Sequence, residues 1–390
     1  MLLRSYSGAL RVRGSRCVQG GRCAASGSGC LDFGLTAGYD RLEMREELLE
    51  SLVCPACEDG SWQLESDQSQ GTGVVERGRL ICATCGARYL ISDGIVDLLP
   101  DPDDLILRER AGWERFLKGA TEELDDAWIL ALPRIDGRVT SNAESIAHWG
   151  RQASNFEQLI QHVGLSGNET VLELGAGRCW ASAFLARRGC QVVALDVVRA
   201  REAGGLETGT VYLDHHTPYF ERVLASMEKL PFRQGTFDLV LSVASIHHTT
   251  LLAQVVAECG RVLKTGGRLA LTSEPCIRIF REKRVENAET DAGINEHVYN
   301  VLDYRRAFGQ AGLKATFYLP GALLALLQEQ RPEIRAGRLK TWLLGLTRLM
   351  WRGEAMRRVL RSQLANLLGL LLLEYGLTAI AERRLGMGVQ

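Results

Sequence analysis

Two acids and two glycines within residues 170–196 have a spacing that could hold a nucleotide. Glu173 stands two residues before Gly175, Gly177 follows, and Asp196 ends the next apolar run. Glycines let a ligand approach the backbone at a helix N-terminus, and a carboxylate at the tip of the following strand can accept hydrogen bonds from ribose hydroxyls. The order of apolar run, glycine turn, helical composition and second apolar run predicts a nucleotide-binding βαβ unit.

The residues around these glycines narrow the class of ligand. A dinucleotide fingerprint requires a third glycine where this chain has Trp180, and an indole there would obstruct close packing of helix on strand. No Gly-Lys-Ser/Thr sequence follows, which argues against a phosphate-cradling loop of the nucleoside triphosphatase type. The run Glu173-Leu174-Gly175-Ala176-Gly177 instead resembles the first motif of class I S-adenosylmethionine (SAM) methyltransferases, with Cys179 in place of the third glycine of that family.

The resemblance continues in order along the chain. Ser226 to Phe232 and Phe237 to Val240 resemble the family's D-x-E-x-L-P-F and F-D-x-V segments, and Leu263 to Gly267 resembles its L-K-P-G-G turn. It implies a doubly wound α/β fold of the Rossmann-like type with SAM as cofactor. It also implies residues that hold the cofactor from its amino-acid end through the ribose to the adenine: Glu173, Gly175, Ala176, Gly177, Asp196, Ser226, Met227 and Glu228.

Polar residues after the fourth and fifth predicted strands could act on a methyl acceptor. In a doubly wound sheet the ligand crevice lies outside the carboxyl ends of the strands, and the strand Asp238 to Val243 is soon followed by His247 and His248. A histidine with its ordinary pKa of about 6.5 could accept a proton from an attacking hydroxyl or amine, so His247 is the predicted catalytic base. The alternative is that the pair begins the next helix and packs against the cofactor. By the resemblance, the acceptor-side residues are His248, Glu274, Asn295, Glu296, His297 and Tyr299.

Four cysteines have the spacing of a zinc site. Cys54 and Cys57 form one C-x2-C pair, Cys82 and Cys85 form a second, and 24 residues separate the pairs. Two tight turns that each present two thiolates supply the four soft ligands of a closed, structural Zn²⁺ site, whereas the alternative is two accidental pairs of buried cysteines. The segment from Glu46 to Pro100 resembles the small zinc-ribbon protein that partners and activates tRNA, rRNA and protein methyltransferases, here fused to its partner.

Composition sets broad limits on function. The chain has 390 residues, 46% of them hydrophobic and 24% charged, with a net charge of −1, so overall charge gives no indication of a nucleic-acid partner. The odd number of cysteines, 11, and the metal spacing of two pairs favour a reducing compartment and predict a cytoplasmic protein.

The predicted organisation combines a zinc ribbon, a methyltransferase domain and helical additions. Residues 1–31 contain five arginines, much Gly and Ser, and no acid, and the first acid is Asp32. This composition predicts that residues 1–43 are a disordered or spurious extension, with an organellar transit peptide as the alternative. Trp113, Phe116, Trp128 and Trp149 in the connector either cap the cofactor pocket or pack in the core. The domains are, in chain order, the extension (1–43), the zinc ribbon (44–100), a helical connector or cap (101–150), the SAM-dependent methyltransferase domain (151–320) and a helical C-terminal extension (321–390).

The C-terminal segment is rich in Leu, Lys and Arg. Residues 331–361 carry nine Lys or Arg against two acids, with Trp and Leu on one helical face, a pattern typical of a helix that lies in a membrane interface. Residues 364–381 are nearly continuous apolar sequence interrupted by Asn366, Glu374 and Thr378. A pair of helices packed on the catalytic domain is the preferred interpretation, and peripheral membrane contact is the alternative.

These patterns predict a SAM-dependent methyltransferase with a small-molecule, lipid-like or glycan acceptor. One alternative is an rRNA or tRNA base methyltransferase with a zinc module, against which stands the lack of a basic stripe with interleaved aromatics outside the tail. The other is a non-catalytic scaffold that retains the SAM fold. Nothing in the sequence identifies the acceptor or the oligomeric state.

Overall fold

The computed structural model describes residues 44–66, 73–99, 101–118, 125–215, 217–278, 286–321, 353–354, 358–359, 362–372 and 375–384. The predicted extension 1–43 and nearly all of the basic stretch 331–361 lie outside these residues. The strands with described bounds are β1 Met44–Arg45, β2 Trp62–Ser66, β3 Val74–Val75, β4 Gly78–Cys82, β5 Arg88–Ser92, β6 Ile95–Asp97, β7 Thr170–Leu174, β8 Gln191–Asp196, β9 Glu221–Leu224, β10 Phe237–Val243, β11 Leu263–Ile277, β12 Tyr299–Asn300, β13 Leu313–Tyr318 and β14 Tyr375–Arg383. The α-helices with described bounds are α1 Asp104–Lys118, α2 Asp126–Leu130, α3 Ala143–Val163, α4 Trp180–Ala186, α5 Gly209–Asp214, α6 Leu252–Val262, α7 Ala288–Ala292, α8 Val301–Gln310 and α9 Gln363–Leu372.

The central strands are apolar on both faces because both faces are covered. In β10, Leu239 and Leu241 join one hydrophobic cluster, while Val240 joins the cluster on the opposite face. In β11, Ala270 and its neighbour Leu271 divide between the two clusters in the same way. Successive side chains of a strand point to opposite faces, so continuous apolar runs are what a sheet buried on both sides requires.

The methyltransferase-like half of the sheet has the spatial order β9-β8-β7-β10-β11-β14-β13. Strands β7, β8, β9, β10 and β11 pair in parallel. The chain moves outward on one side of β7 through β8 to β9 and then crosses to the other side to form β10. This reversal is the topological switch point at which open α/β sheets bind ligands. The doubly wound α/β fold predicted from the sequence is confirmed.

The predicted helical structure of the apolar stretch 364–381 is wrong in its second half. Helix α9 ends at Leu372, and residues 375–383 form β14, which lies antiparallel between β11 and β13. The last strand therefore belongs to the main sheet, and the predicted domain end at residue 320 separates it from the sheet that it completes. Among the described residues, none of the helices has both the length and the apolar character needed to span a bilayer.

The N-terminal ribbon continues the same sheet. Strands β2, β4, β5 and β6 are antiparallel neighbours, and β6 pairs in parallel with β9 through Ile95 opposite Arg222 and Asp97 opposite Leu224. Buried ribbon residues such as Leu80 and Tyr89 belong to the same hydrophobic cluster as Val240 and Leu271 of the central strands. The ribbon therefore covers what would otherwise be an exposed edge at β9.

Among the described residues between the ribbon and β7 there are three α-helices, α1, α2 and α3. Helix α3 runs without a break through the predicted connector boundary at residue 150. Its Asn142 N-cap accepts hydrogen bonds from the backbone N–H groups of Glu144 and Ser145, and Gly164 ends it in the left-handed region at φ +62°. Connector and methyltransferase domain consequently share one helix.

Candidate functional site

A cavity of about 770 Å³ lies at the carboxyl ends of β7, β8 and β10. Its wall includes Gly175 after β7, Asp196 at the end of β8 and Ala244 after β10, while Trp113 and Trp149 contribute from α1 and α3. The volume is within the range of about 300–1,000 Å³ typical of small-molecule sites.

The turn after β7 depends on backbone conformations that glycine adopts without strain. Gly175 has φ +60° and Gly177 has φ +47°, both left-handed. A Cβ at Gly175 would lie 2.4 Å from the Cβ of Ser245, so the turn and the β10 loop approach each other too closely for a side chain. Cys179 is buried at the start of α4 and has φ +59°. Glycine adopts this left-handed conformation without strain, which explains why the family has a glycine at this position.

Asp196 closes the same turn from β8. Its Oδ2 accepts a hydrogen bond from the backbone N–H of Gly177 (2.8 Å), and its Oδ1 accepts one from Val198 (2.7 Å). Burial raises the pKa of Asp196, an effect that these two hydrogen bonds oppose. Each carboxylate oxygen can accept more than one hydrogen bond, so the side chain retains capacity for ribose hydroxyls. The absence of side chains at the two glycines leaves room for the amino-acid end of SAM. The Asp196 carboxylate fits the ribose hydroxyls of its nucleoside end.

Asp196→Ala is expected to weaken SAM binding by about 1.5–3 kcal/mol, the range for a lost hydrogen bond to a charged group. Titration calorimetry with SAM measures the change directly. Asp238→Ala is a suitable control, because Asp238 accepts from the backbone N–H of Thr170 and from Lys264 at the opposite end of β7. Equal affinities of wild type and Asp196→Ala would contradict the assignment.

Only part of the predicted cofactor set lies at the cavity. Gly175, Ala176, Gly177, Asp196 and Met227 line it. Glu173, Ser226 and Glu228 do not belong to its wall. Their side chains have other partners, so direct contact with the cofactor is not supported for these three.

Each of the three has a local structural partner instead. Glu173 is buried and accepts a hydrogen bond from Ser182 of α4, and burial raises its pKa to about 8. Ser226 Oγ accepts from the backbone N–H of Glu228, and the Glu228 carboxylate accepts from the hydroxyl of Thr249.

The predicted acceptor-side residues divide in the same way. His247, His248 and Glu296 line the cavity, whereas Glu274, Asn295, His297 and Tyr299 do not. The backbone N–H of Asn295 donates to Glu109 Oε2 (2.7 Å), that of His297 donates to the carbonyl of His247 (3.1 Å), and the Tyr299 hydroxyl donates to the carbonyl of Thr249. These contacts hold the segment after β11 against the histidine turn.

His247 lies between two carboxylates. Its Nδ1 is 2.8 Å from Oε2 of the fully buried Glu274, and its Nε2 is 3.4 Å from Oε1 of Glu296. Burial lowers the pKa of His247, but the hydrogen bonds to both acids outweigh burial and raise the pKa to about 10. Burial lowers the pKa of the neighbouring His248 to about 4, and the charge of His247 adds to this effect.

Several cavity residues were not predicted as site residues. Glu109 of α1 faces His248, with 3.3 Å between Oε1 and Nδ1, and burial raises its pKa to about 7. Arg178 follows the second glycine of the turn, and Glu289 comes from α7. The aromatic residues Trp113, Phe116, Trp128 and Trp149 all line the cavity, as does Trp180, so the capping interpretation of the connector fits their placement better than packing alone.

The four predicted zinc ligands come together at one end of the ribbon. Sγ of Cys54 is 3.7 Å from Sγ of Cys85, and Sγ of Cys57 is 3.5 Å from Sγ of Cys82. Zn–S bonds of about 2.3 Å at tetrahedral corners require S–S separations of about 3.8 Å. The thiols thus fit a structural Zn²⁺ ion. The hydroxyl of Tyr89 lies 3.2 Å from Sγ of Cys54 and would support that ligand from outside the first coordination sphere.

Comparison with known families finds matches for two segments of the chain. Residues 172–271 match the methyltransferase domain family, and residues 45–94 match the Trm112p-like protein family. The chain is 34% identical over 139 residues to the sarcosine/dimethylglycine N-methyltransferase of Halorhodospira halochloris, covering 35% of this chain and 48% of that protein. It is 26% identical over 151 residues to the ubiquinone biosynthesis O-methyltransferase of Nitrosococcus oceani, covering 35% of this chain and 61% of that protein. The chain thus spans about half to three fifths of the length of these two relatives.

Two solved structures also resemble this chain, each with a TM-score below 0.5. One is the complex between the Haloferax volcanii Trm112 methyltransferase activator and the putative methyltransferase, with 17% identity, a TM-score of 0.42, and coverage of 68% of this chain and 100% of that one. The other is the geranyl diphosphate C-methyltransferase of Streptomyces coelicolor, with 17% identity, a TM-score of 0.44, and coverage of 73% and 100%.

The family matches and the geometry identify two domains in the chain. Residues 172–271 are a methyltransferase domain of the SAM-dependent class. Residues 45–94 are a Trm112p-like zinc ribbon with its four thiols in place. In this particular chain the ribbon and the methyltransferase domain share one sheet.

Proposed function

We propose that the protein transfers the methyl group of SAM to a small, partly apolar acceptor that binds in the same cavity as the cofactor. The observation that carries the proposal is that one cavity runs from Asp196 and the glycine turn to Trp113, His248 and Glu296. SAM supplies a methyl group with a good leaving group when it is bound. The chain's residues therefore have to orient the acceptor and exclude water rather than supply a cofactor's chemistry.

The charge of the cavity favours a neutral or cationic acceptor over RNA. Among the described residues, five acids line the cavity against two cations: Glu109, Glu144, Asp196, Glu289 and Glu296 against Arg178 and the protonated His247. A polyanion is recognised through Lys and Arg that neutralise its phosphates, and this wall would repel it. An RNA base is therefore the second candidate for the methyl acceptor.

The aromatic wall supports an acceptor with an apolar part. Trp113 of α1, Trp128 of α2 and Trp149 of α3 enclose the side of the cavity opposite the sheet. Indole faces bind planar or apolar groups and also attract cations. The relatives named above are called a sarcosine/dimethylglycine N-methyltransferase and a ubiquinone biosynthesis O-methyltransferase, so an amine or a hydroxyl acceptor agrees with both the wall and the relatives.

The role of His247 as general base stays a prediction that its surroundings do not favour. A base must hold a free lone pair toward the acceptor, but both ring nitrogens of His247 are directed at carboxylates. With a pKa raised to about 10, the imidazole carries its second proton at neutral pH. His247 therefore suits holding a charge or a ligand better than accepting a proton.

Arg178 extends the cofactor site beyond the residues that the sequence motif suggested. Its guanidinium lines the cavity and lies 5.5 Å from the ring centroid of Trp128. No hydrogen bond or ion pair joins it to another of the described residues, and burial lowers its pKa to about 10. A guanidinium held in a cavity without an anion is unfavourable, so the ligand should bring one. The nearest anion that SAM offers, beside the glycine turn, is its amino-acid carboxylate.

Arg178→Gln is expected to weaken binding of S-adenosylhomocysteine by roughly 10- to 150-fold, the equivalent of about 1.5–3 kcal/mol. Binding of 5′-methylthioadenosine, which lacks the amino-acid carboxylate, should be unchanged. Calorimetry with both ligands separates a lost carboxylate contact from a general distortion. Arg188→Gln is the matched control, because Arg188 packs over the Phe184 ring and does not line the cavity. Equal losses for both ligands would show that Arg178 acts on the shape of the site.

The proposed function is tested by following methyl-labelled SAM into fractionated cell extract. Transfer to a small-molecule fraction that requires the wild-type chain supports the proposal, with Asp196→Ala as the impaired control. Label in RNA, together with RNA binding that weakens steeply with salt, would establish the nucleic-acid alternative. SAM binding without transfer to any fraction would favour the scaffold.

A further inference from the structure

Two imidazoles and a carboxylate meet at the acceptor end of the cavity. His247 and His248 are adjacent in the turn after β10, and their rings lie 4.3 Å apart between centroids at a tilt of 34°. Glu296 enters from the segment that follows α7. One potential ligand atom from each of the three lies within 4.8 Å of the others.

The two rings are oriented from behind the cavity wall. Nδ1 of His247 is 2.8 Å from Glu274, whose other oxygen accepts from the hydroxyl of Ser242 (2.7 Å) and the backbone N–H of Ser245 (3.1 Å). Nδ1 of His248 is 2.8 Å from the carbonyl oxygen of Asn295. Glu274 is already held as an acceptor, so Nδ1 of His247 carries a proton and its Nε2 faces Glu296, 3.4 Å from Oε1. The nitrogen of His248 that faces the same Glu296 oxygen is Nδ1, at 3.8 Å.

This arrangement matches the outer shell of protein metal sites. Histidines that bind metal almost always donate their other N–H to a carboxylate or a backbone carbonyl, which fixes the tautomer and the ring plane. Here Glu274 provides that carboxylate for His247, and the Asn295 carbonyl oxygen lies 2.8 Å from the His248 nitrogen that faces Glu296. Glu109 places a further carboxyl oxygen 3.3 Å from Nδ1 of His248, and Glu289 lines the same part of the cavity.

We propose that His247, His248 and Glu296 bind one divalent metal ion at the acceptor end of the cavity. Two imidazole nitrogens and one carboxylate suit Zn²⁺, Co²⁺ or Mn²⁺ better than Mg²⁺ or Ca²⁺. Three protein ligands leave coordination positions for an oxygen or nitrogen of the acceptor. If the proposed methyl transfer is correct, the ion would lower the pKa of an acceptor hydroxyl in place of a protein base.

The site is tested by metal stoichiometry with the full chain. The protein is equilibrated with Co²⁺ after its ribbon has been loaded with Zn²⁺, and both metals are counted after desalting. We expect one Zn²⁺ and one Co²⁺ per wild-type chain, with a cobalt spectrum free of thiolate charge-transfer bands. His248→Ala and Glu296→Gln should lose the Co²⁺ and keep the Zn²⁺, and Glu274→Gln should weaken Co²⁺ binding by about 10- to 100-fold as an outer-shell change.

His297→Ala is the matched control, because His297 follows Glu296 but does not line the cavity. It should bind Co²⁺ like the wild type. Retention of SAM by each variant shows that the cavity is still folded and keeps the outcome separate from the test of methyl transfer. No Co²⁺ on the wild type, or equal Co²⁺ on wild type and Glu296→Gln, would overturn the proposal and leave His247 as a cation between two acids.

Discussion

Gly175→Val is expected to reduce SAM affinity by more than about 100-fold, the equivalent of roughly 3 kcal/mol or more. Gly175 has φ +60°, and a Cβ there would lie 2.4 Å from the Cβ of Ser245 and 2.8 Å from its Oγ. Ser245 cannot move aside cheaply, because its Oγ donates to the carbonyl of Leu174 (2.7 Å) and its backbone N–H donates to Glu274. The branched side chain would have to displace the β10 loop or fill the space of the cofactor.

Gly235→Val is the matched control for this experiment. Gly235 has φ +70°, so the substitution carries a similar backbone strain, but nothing lies within 4 Å of the Cβ that would be added. Both variants should lose some stability, and only Gly175→Val should lose SAM binding. Wild-type affinity in a folded Gly175→Val protein would mean that the cofactor does not lie over this turn.

The nucleotide-binding unit could be predicted from the sequence because its signals are local. Residues 170–196 contain β7, the glycine turn, α4 and β8. The boundary between each element and the next is marked by particular residues that can be read from the sequence. The cysteine pairs could be predicted for the same reason, since thiolate pairs at two-residue spacing have few other uses.

Strand β14 could not be predicted because its conformation is decided at a distance. Residues 363–372 and 375–383 are both apolar and only two residues apart, and periodicity does not distinguish a buried strand from a buried helix. Residues 375–383 form a strand because the position between β11 and β13 offers hydrogen-bonding partners on both sides. Leu269 of β11 pairs with Ala381, and Phe317 of β13 pairs with Ala379. Those contacts bridge more than sixty residues of chain, as their residue numbers show.

The acidic side of the cavity was missed for a related reason. Glu109 is one acid among many on a charged helix, and nothing local distinguishes it from a solvated residue. In the fold, Glu109 lies next to the segment after α7. There it accepts a hydrogen bond from the backbone N–H of Asn295, which is 186 residues further along the chain. Conversely, Glu173 has the motif's expected position but bonds to Ser182, because the side chain points into the core beneath the turn.

Cys82→Ser is expected to remove the ribbon zinc and to destabilise the methyltransferase domain with it. The ribbon has a small core of its own, so binding of structural zinc, worth about 10–16 kcal/mol in zinc-finger peptides, should supply much of its folding free energy. Without it, β6 would leave β9, and the fully buried Arg222 would lose the backbone carbonyl of Asp93 that accepts its hydrogen bond (2.7 Å). Loss of about 3 kcal/mol or more would lower the melting temperature by roughly 6–12 °C.

The effect should reach the cofactor because β9 leads directly into the cavity wall. Ala225 and Met227 follow β9 and line the cavity, so a displaced β9 would also weaken SAM binding.

Elemental analysis, thermal melting and SAM calorimetry on the same preparations measure the three consequences together. Cys190→Ser is the control, since Cys190 is buried after α4 far from the four thiols and should keep one zinc per chain. Because the hydrophobic cluster is continuous from Tyr89 to Leu271, the wild type should melt in one transition. Two transitions, with the second unmoved in Cys82→Ser, would mean that the ribbon and the methyltransferase domain fold independently.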